Sequence, residues 1–493
     1  MKKIRIEHPK IYLDAEGKKT DAILIQGHQV IATGEEAKSH TVDEVITPKG
    51  ACVMPSLTDA HIHMWGLGLR PNSISLRDCT SAEQVYEALR NSKSDNDWVF
   101  GHDWNQHQWT DTDALSLERL DEIFPNQALM LRRIDGHAIW VNSIALQRSD
   151  TTAKNGLLLD EAMNPVYDAA PPTRLEDDKA AFFETANTLI DHGITCVHIA
   201  WVQADRVEML ENLRKNNDLP LRVHTMLGVA DPGNAPRIAG PPFLDEACWL
   251  NFNCLKYFAD GALGSKGAQL IDGYEDGSFG EVVDEDEILK TTIHEPALRG
   301  WQPAIHAIGD RGAERILDHY DRLPEDVIVK IRPRLEHAQM LTDNDVKRMH
   351  RYISSIQPIH QYSDCEWADS VLKPFQVDRL FRWRALADVS VMCGGSDYPI
   401  EDINPWRGIS VAISRAVKKR APFRTTALSH QEAVAAYTSG AAYAAFWEDK
   451  IGKLEEGFLA DFIVPDVDPF LSSPEEIWDT KVSQVWLAGQ RIR

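Results

Sequence analysis

Hydrophobic and polar positions along the chain fall into two textures. At the start, short apolar runs alternate with polar turns: Ile11-Tyr12-Leu13, a turn at Glu16-Gly17-Lys18-Lys19, then Ala22-Ile23-Leu24-Ile25 and Gln29-Val30-Ile31-Ala32-Thr33-Gly34. Such alternation predicts a small β unit over residues 1–53. The far end repeats it at residues 460–465 and 482–489, so residues 1–53 and 447–493 are read as one sheet domain. Between them, apolar strand-like runs alternate with helical stretches. After a first strand ending near His63, strands are expected over 195–200, 221–227, 254–259, 303–308, 334–338, 353–357 and 389–393. In the helical stretch 177–192, Phe182, Phe183, Ala186, Leu189 and Ile190 share one face, and Gly193 closes it. Residues 313–320 and 343–350 behave similarly. Parallel strands need helical crossovers, so eight buried strands alternating with helices predict a (β/α)8 barrel over residues 54–446.

One interval is too long for a simple crossover. Residues from about 66 to 176 form an insertion that leaves the barrel after strand 1, at the rim where barrel active sites lie. It carries Trp98, Trp104, Trp109 and Trp140, and the stretch Asp135-Gly136-His137. These tryptophans can be the insertion's own core or a wall of the pocket; Trp104 and His137 are the pocket candidates.

Candidate chemistry gathers at strand ends. In Met54-Pro55-Ser56-Leu57-Thr58-Asp59-Ala60-His61-Ile62-His63, the two histidines are two apart, and residues i and i+2 of a strand point to one side. His61 and His63 can therefore approach one ion. Strand 4 offers Lys256, strand 5 His306, strand 6 His337, and strand 8 runs into Gly394-Gly395-Ser396-Asp397-Tyr398-Pro399. A lone histidine here is usually a packing residue and a lone aspartate before a turn usually a turn former. Their joint occurrence in register is harder to dismiss. Imidazole with carboxylate suits zinc or another divalent first-row metal. A metal-activated water, with Asp397 as general base and then general acid, would make hydrolysis the outcome.

Composition narrows the partners. The net charge of -23 disfavours non-specific binding to nucleic acid or to an anionic membrane, both of which need a basic surface. No apolar run is long enough for a membrane span, and Met1-Lys2-Lys3-Ile4-Arg5 leads into no signal-peptide core. The 7 cysteines form no Cys-x-x-Cys pair and several sit in apolar runs, which predicts free thiols and a cytoplasmic location. A small-molecule substrate is expected, and a homodimer would follow the common two-fold pattern.

With these residues in hand, the chain resembles the amidohydrolase superfamily of metal-dependent hydrolases, and within it amidohydrolase family 3, the branch that includes N-substituted formamide deformylase. The resemblance rests on His61-Ile62-His63, Asp135-Gly136-His137 with Asn142, residues 256–264, His306-Ala307-Ile308-Gly309-Asp310, Glu336-His337, Gln357-Pro358-Ile359-His360, Ser396-Asp397 and residues 451–461. It implies a distorted (β/α)8 TIM barrel with a β-sandwich built from both termini. It also implies two zinc ions, one held by His61, His63 and Asp397, the other by His306 and His337, bridged by a carboxylated Lys256. One ion, or another divalent metal, stays open, as does an unmodified Lys256 paired with Asp260.

The implied reaction is hydrolysis of a carbon–nitrogen bond other than a peptide bond, in an N-substituted amide or formamide. The same centre could serve a lactonase, an esterase or phosphotriesterase, or a deaminase, because fold does not fix the electrophile. A non-catalytic barrel scaffold is the remaining alternative, and it would be expected to lose ligands. Asp260, His360 and Tyr398 are candidate substrate contacts, against loop turn or rim packing. Gln357 faces the same choice as His360 and Tyr398, while Lys266, His198 and Arg311 carry weaker versions of it, with Arg311 either clamping an anionic substrate or pairing with Asp310.

Overall fold

In the computed structural model the described residues are all except 67–72, 93–95, 107–108, 110–115, 135, 137, 172–173, 284–285 and 415–426, with backbone alone at 160–161 and 286–288. His137 thus lies outside the described residues. The chain divides into two compact units, Met1–Met64 with Phe183–Arg493, and Trp65–Phe182.

The first unit contains the parallel eight-stranded barrel predicted by the alternation. Its strands follow chain order around the sheet: Leu57–Ile62, Ile194–Val202, Arg222–Gly228, Leu250–Phe258, Gln302–Ala307, Arg334–His337, Ile353–Ile356 and Val391–Gly394. All seven successive pairings are parallel. We refer to them as barrel strands 1 to 8. Helices supply the crossovers, among them Leu175–Asp191, which enters this unit at Phe183, and Asp310–Asp321, the latter burying Ala313, Ile316, Leu317 and Tyr320 along one face. Gly193 follows the first of these helices at φ +90°, a left-handed conformation that glycine adopts without a Cβ clash.

Strands 1 and 8 close the ring through their C-terminal extensions. Asp397 N–H donates to the His61 carbonyl at 2.8 Å and His63 N–H to the Tyr398 carbonyl at 2.9 Å. This close approach depends on Gly395, where a Cβ would lie 2.4 Å from the His61 nitrogen.

Two four-stranded sheets from the chain ends complete this unit. One has the order Gln29–Thr33, Lys19–Gln26, Lys3–Tyr12, Glu44–Ile46; the other Gln490–Arg491, Val482–Leu487, Phe462–Pro465, Met54–Pro55. Ile23 and Ile25 pack with Phe462, Val464 and Trp486 in the shared core, while Ala22 and Leu24 pack with Ala32 and Ala37 on the other side. The period-two alternation thus buries both faces of this strand. Arg222 of barrel strand 3 ties barrel to sandwich, donating from Nε and Nη2 to the buried Asp461 carboxylate at 2.6 and 3.0 Å.

The second unit is built on a five-stranded mixed sheet, in the order Leu157–Leu159, Ala138–Val141, Ala128–Arg133, Trp98–Trp104, Ile74–Ser75. One face packs Trp104, Trp109, Trp140, Tyr86 and Leu131; the other packs Trp98, Met130, Ile139 and Val141.

Candidate metal centre

Six side chains from five stretches far apart in sequence meet at the C-terminal ends of the barrel strands. His61 lies on strand 1 and His63 just beyond it; Lys256 lies on strand 4, His306 on strand 5, His337 at the end of strand 6, and Asp397 after strand 8. One ring nitrogen each from His61 and His337 and one oxygen of Asp397 lie within 4.8 Å of one another. Asp397 Oδ1 is 3.5 Å from His61 Nε2 and 3.4 Å from His63 Nε2. Lys256 Nζ is 3.4 Å from His61 Nε2. The His337 ring sits between those of His61 and His306, with centroids at 5.0 and 4.5 Å.

Two of the clustered residues occupy the left-handed region of backbone space, His337 at φ +72° and Asp397 at φ +58°. Such conformations cost about 1–3 kcal/mol each and persist where surroundings over-determine them. At Asp397 the two cross-strand hydrogen bonds and Asp59 do this. The buried Asp59 carboxylate accepts from the N–H groups of His61 at 3.0 Å and Ser396 at 3.1 Å, pinning strand 1 to the strand 8 extension.

Burial sets the electrostatics. It pushes the His61 imidazole down to about 4, with the Lys256 ammonium acting in the same direction and Glu336 opposing. His337 is held well below the usual histidine range by burial and by neighbouring His306. Both are therefore neutral ligand donors at pH 7. Burial lowers the Lys256 amine to about 8, against the pull of Glu336 and Asp397. For Asp397, burial alone would raise the carboxyl, but hydrogen bonds from His360 and His63 hold it well below the carboxylate range.

The remaining sequence candidates fall in different settings. His360 belongs here: Nε2 is 3.2 Å from Asp397 Oδ2 and Nδ1 is 3.4 Å from Glu401 Oε1. Burial disfavours its cation, yet the two carboxylates raise it to about 10. Tyr398 follows Asp397 directly and is half-buried. Asp260 is wholly buried, and its oxygens accept from the N–H groups of Gln269, Ile308 and Gly309 at 2.9, 3.0 and 2.8 Å. That carboxylate organises the loop after strand 4 instead of pairing with Lys256, although Oδ1 lies 3.7 Å from His306 Nε2. Gly309 must lack a side chain here, since a Cβ would fall 1.9 Å from the Gln269 carbonyl.

Lys266 pairs with Asp276 on the surface, and Arg311 with Glu314, while Asp310 is bound by Arg379. Gln357 is buried. His198 is buried inside the barrel against His224, with ring centroids 4.7 Å apart, and accepts from Arg334 at 3.0 Å. Trp104 is fully buried in the second unit, with its indole N–H donated to the Leu131 carbonyl at 3.0 Å.

Several roles at the centre escape a reading of the sequence, which offered Glu336 only as part of the Glu336-His337 motif. Glu336 accepts from His61 Nδ1, and Arg334 and Ser355 hold it. Glu401 holds His360 from the other side and accepts from Ser363 Oγ at 2.9 Å. A signal existed for the first pair: Arg334 and Glu336 are opposite charges two apart in a buried strand, hence on one face. None existed for Glu401, in a polar loop.

The donor set fits a divalent metal. Neutral imidazoles converge with an ionised carboxylate, and His337 Nδ1 is buried with no hydrogen-bond partner, an arrangement that costs about 1–3 kcal/mol unless something binds it. A parallel barrel carrying this cluster at its strand ends defines a metal-dependent hydrolase of the amidohydrolase type. The chain belongs to the amidohydrolase family, whose model matches residues 44–493.

Among its relatives, the candidate amidohydrolase YtcJ of Bacillus subtilis (strain 168) is 29% identical, covering 97% of this chain and 96% of its own. The N-substituted formamide deformylase of Arthrobacter pascens is 24% identical, covering 97% and 95%. Of solved structures, an uncharacterized metal-dependent hydrolase from Pyrococcus horikoshii superimposes with a TM-score of 0.81 at 26% identity, over 96% of this chain and 99% of that one.

Proposed function

We propose that this chain hydrolyses a carbon–nitrogen bond other than a peptide bond, in an N-substituted amide or formamide. The observation that carries the reading is the convergence of His61, His337 and Asp397 within 4.8 Å at the barrel strand ends. The deformylase relative supports the choice of bond. His61, His63 and Asp397 would hold one zinc ion, His306 and His337 a second, with a carboxylated Lys256 between them. Zinc, when bound, polarises the scissile carbonyl and activates water.

The chain's own groups do the rest. Asp397 accepts the proton of the attacking water and returns it to the leaving nitrogen. His360, hydrogen-bonded between Asp397 and Glu401, orients that carboxylate. Burial lowers the Lys256 amine to about 8, which raises the fraction of the neutral form that adds carbon dioxide to make a carbamate. His360 and Tyr398 flank Asp397 and would meet the substrate. The seven free cysteines, six of them buried, support a reducing cytoplasm. Among the described residues no helix is long and apolar enough to cross a membrane.

The test is a panel of N-formyl, N-acyl, lactone and phosphotriester compounds offered to zinc-loaded protein. Turnover of the N-substituted amides, lost on chelation and restored by zinc, is the expected result. Hydrolysis confined to lactones or phosphotriesters would overturn the choice of bond.

A further inference from the structure

Beneath the strand-end cluster, inside the barrel, lies a buried charged pair that takes no part in the chemistry above. Glu336 is wholly buried and both of its oxygens are occupied. Oε1 accepts from Arg334 Nε at 2.7 Å; Oε2 accepts from Ser355 Oγ at 2.7 Å, from Arg334 Nη2 at 3.3 Å, and from His61 Nδ1. Arg334 is fixed in turn by the Ala60 carbonyl at 2.8 Å and His198 Nδ1 at 3.0 Å. A carboxylate held from three sides by donors cannot rotate away from the imidazole. Its only open demand is for a proton on His61 Nδ1.

That demand fixes the tautomer. With the hydrogen on Nδ1, the lone pair is on Nε2, the nitrogen that faces Lys256 Nζ at 3.4 Å and Asp397 Oδ1 at 3.5 Å. We propose that Glu336, clamped by Arg334 and Ser355, is a positioning residue that keeps His61 Nε2 unprotonated and aimed into the metal centre, and so sets the affinity of that centre. The inference rests on the metal-hydrolase reading above. Carboxylates placed behind metal-binding histidines act in this way, and their loss costs about 10–100-fold in metal affinity.

The chemistry of glutamine makes the idea testable. A glutamine at 336 has one acceptor oxygen where the carboxylate has two. Arg334 and His61 both need an acceptor, and Arg334 has no other way to satisfy Nε. The amide NH2 then turns toward His61 Nδ1, which must accept, so the proton moves to Nε2 and blocks the lone pair. Asp at the same position keeps two acceptors at a shorter reach.

Three proteins should be compared: wild type, Glu336→Gln and Glu336→Asp. Zinc affinity is read by competition with a chromophoric chelator, and the visible spectrum of the cobalt-loaded form reports ligand geometry. Expected are zinc binding by wild type, a 10–100-fold weaker affinity with an altered cobalt spectrum for Glu336→Gln, and partial recovery in Glu336→Asp. If wild type binds zinc and Glu336→Gln binds it equally tightly with the same spectrum, the inference falls and the metal-hydrolase reading stands. If wild type binds no zinc, both fall. Should Glu336→Gln fail to fold, nitrogen-15 spectra of histidine-labelled, metal-free wild type decide instead. A His61 ring protonated at Nδ1 supports the inference, and one protonated at Nε2 overturns it.

Discussion

The strand-end cluster of the barrel and the tryptophan core of residues 65–182 are both dense in residues that a sequence reader singles out, and the structure treats them oppositely. In the second unit three of the four tryptophans singled out in the sequence have their N–H met by a backbone carbonyl: Trp104 by Leu131, Trp109 by Cys79 and Trp140 by Asn155, at 3.0, 3.1 and 3.1 Å. Ring packing completes them, with Trp104 5.8 Å from Trp109 and 6.3 Å from Trp140. In the strand-end cluster, histidines and carboxylates converge, a buried nitrogen of His337 is left without a partner, and His337 and Asp397 both sit in the left-handed backbone region. Satisfied burial is architecture. Unsatisfied, strained and charged burial marks a place that something else completes.

The contrast can be broken by mutation. The largest effect is expected at the base of the proposed mechanism: Asp397→Asn should retain zinc binding but lose about 10²- to 10⁴-fold in kcat on the best amide of the panel. An unimpaired variant would remove Asp397 from the chemistry. Next, Trp104→Ala should cost about 3–5 kcal/mol of stability for the second unit, read by denaturant unfolding, while zinc content per chain stays at the wild-type value. A lost zinc complement with intact stability would reverse the assignment of Trp104 to a packing role.

Smaller changes sharpen the same line. Ser363→Ala removes one neutral donor from Glu401, which also pairs with His360; it should cost about 0.5–1.5 kcal/mol in thermal unfolding and lower kcat only modestly. A turnover loss as deep as that of Asp397→Asn would place Glu401 inside the chemistry. Smallest of all, Lys266→Ala should leave unfolding and turnover within error of wild type, because its partner Asp276 is solvent-exposed. A raised KM would return Lys266 to the list of substrate contacts.

The parts of the centre that were legible are those whose meaning is local. His61 and His63 declare a shared face by spacing alone, whereas the close approach of Gly395 to the His61 backbone is visible only in the structure. Asp260 was ambiguous for a physical reason: a carboxylate after a strand looks the same whether it faces substrate or collects three backbone N–H groups, and those donors come from residues 269, 308 and 309. Arg311 was ambiguous likewise, and its neighbour Asp310 went to Arg379, an unforeseeable partner from another loop.

The period of the apolar pattern was enough to specify eight alternating strands and helices and a sheet unit drawn from both termini, because burial preference is written residue by residue. It could not say that Glu336 would stand behind His61, that Asp59 would tie strand 1 to Ser396, or that Glu401 would meet His360. Those pairings join positions up to hundreds of residues apart, and only closure of the barrel brings them within hydrogen-bond reach. Hydrophobicity acts through composition and period, whereas hydrogen bonds and ion pairs act through distance and angle, which the folded chain alone supplies.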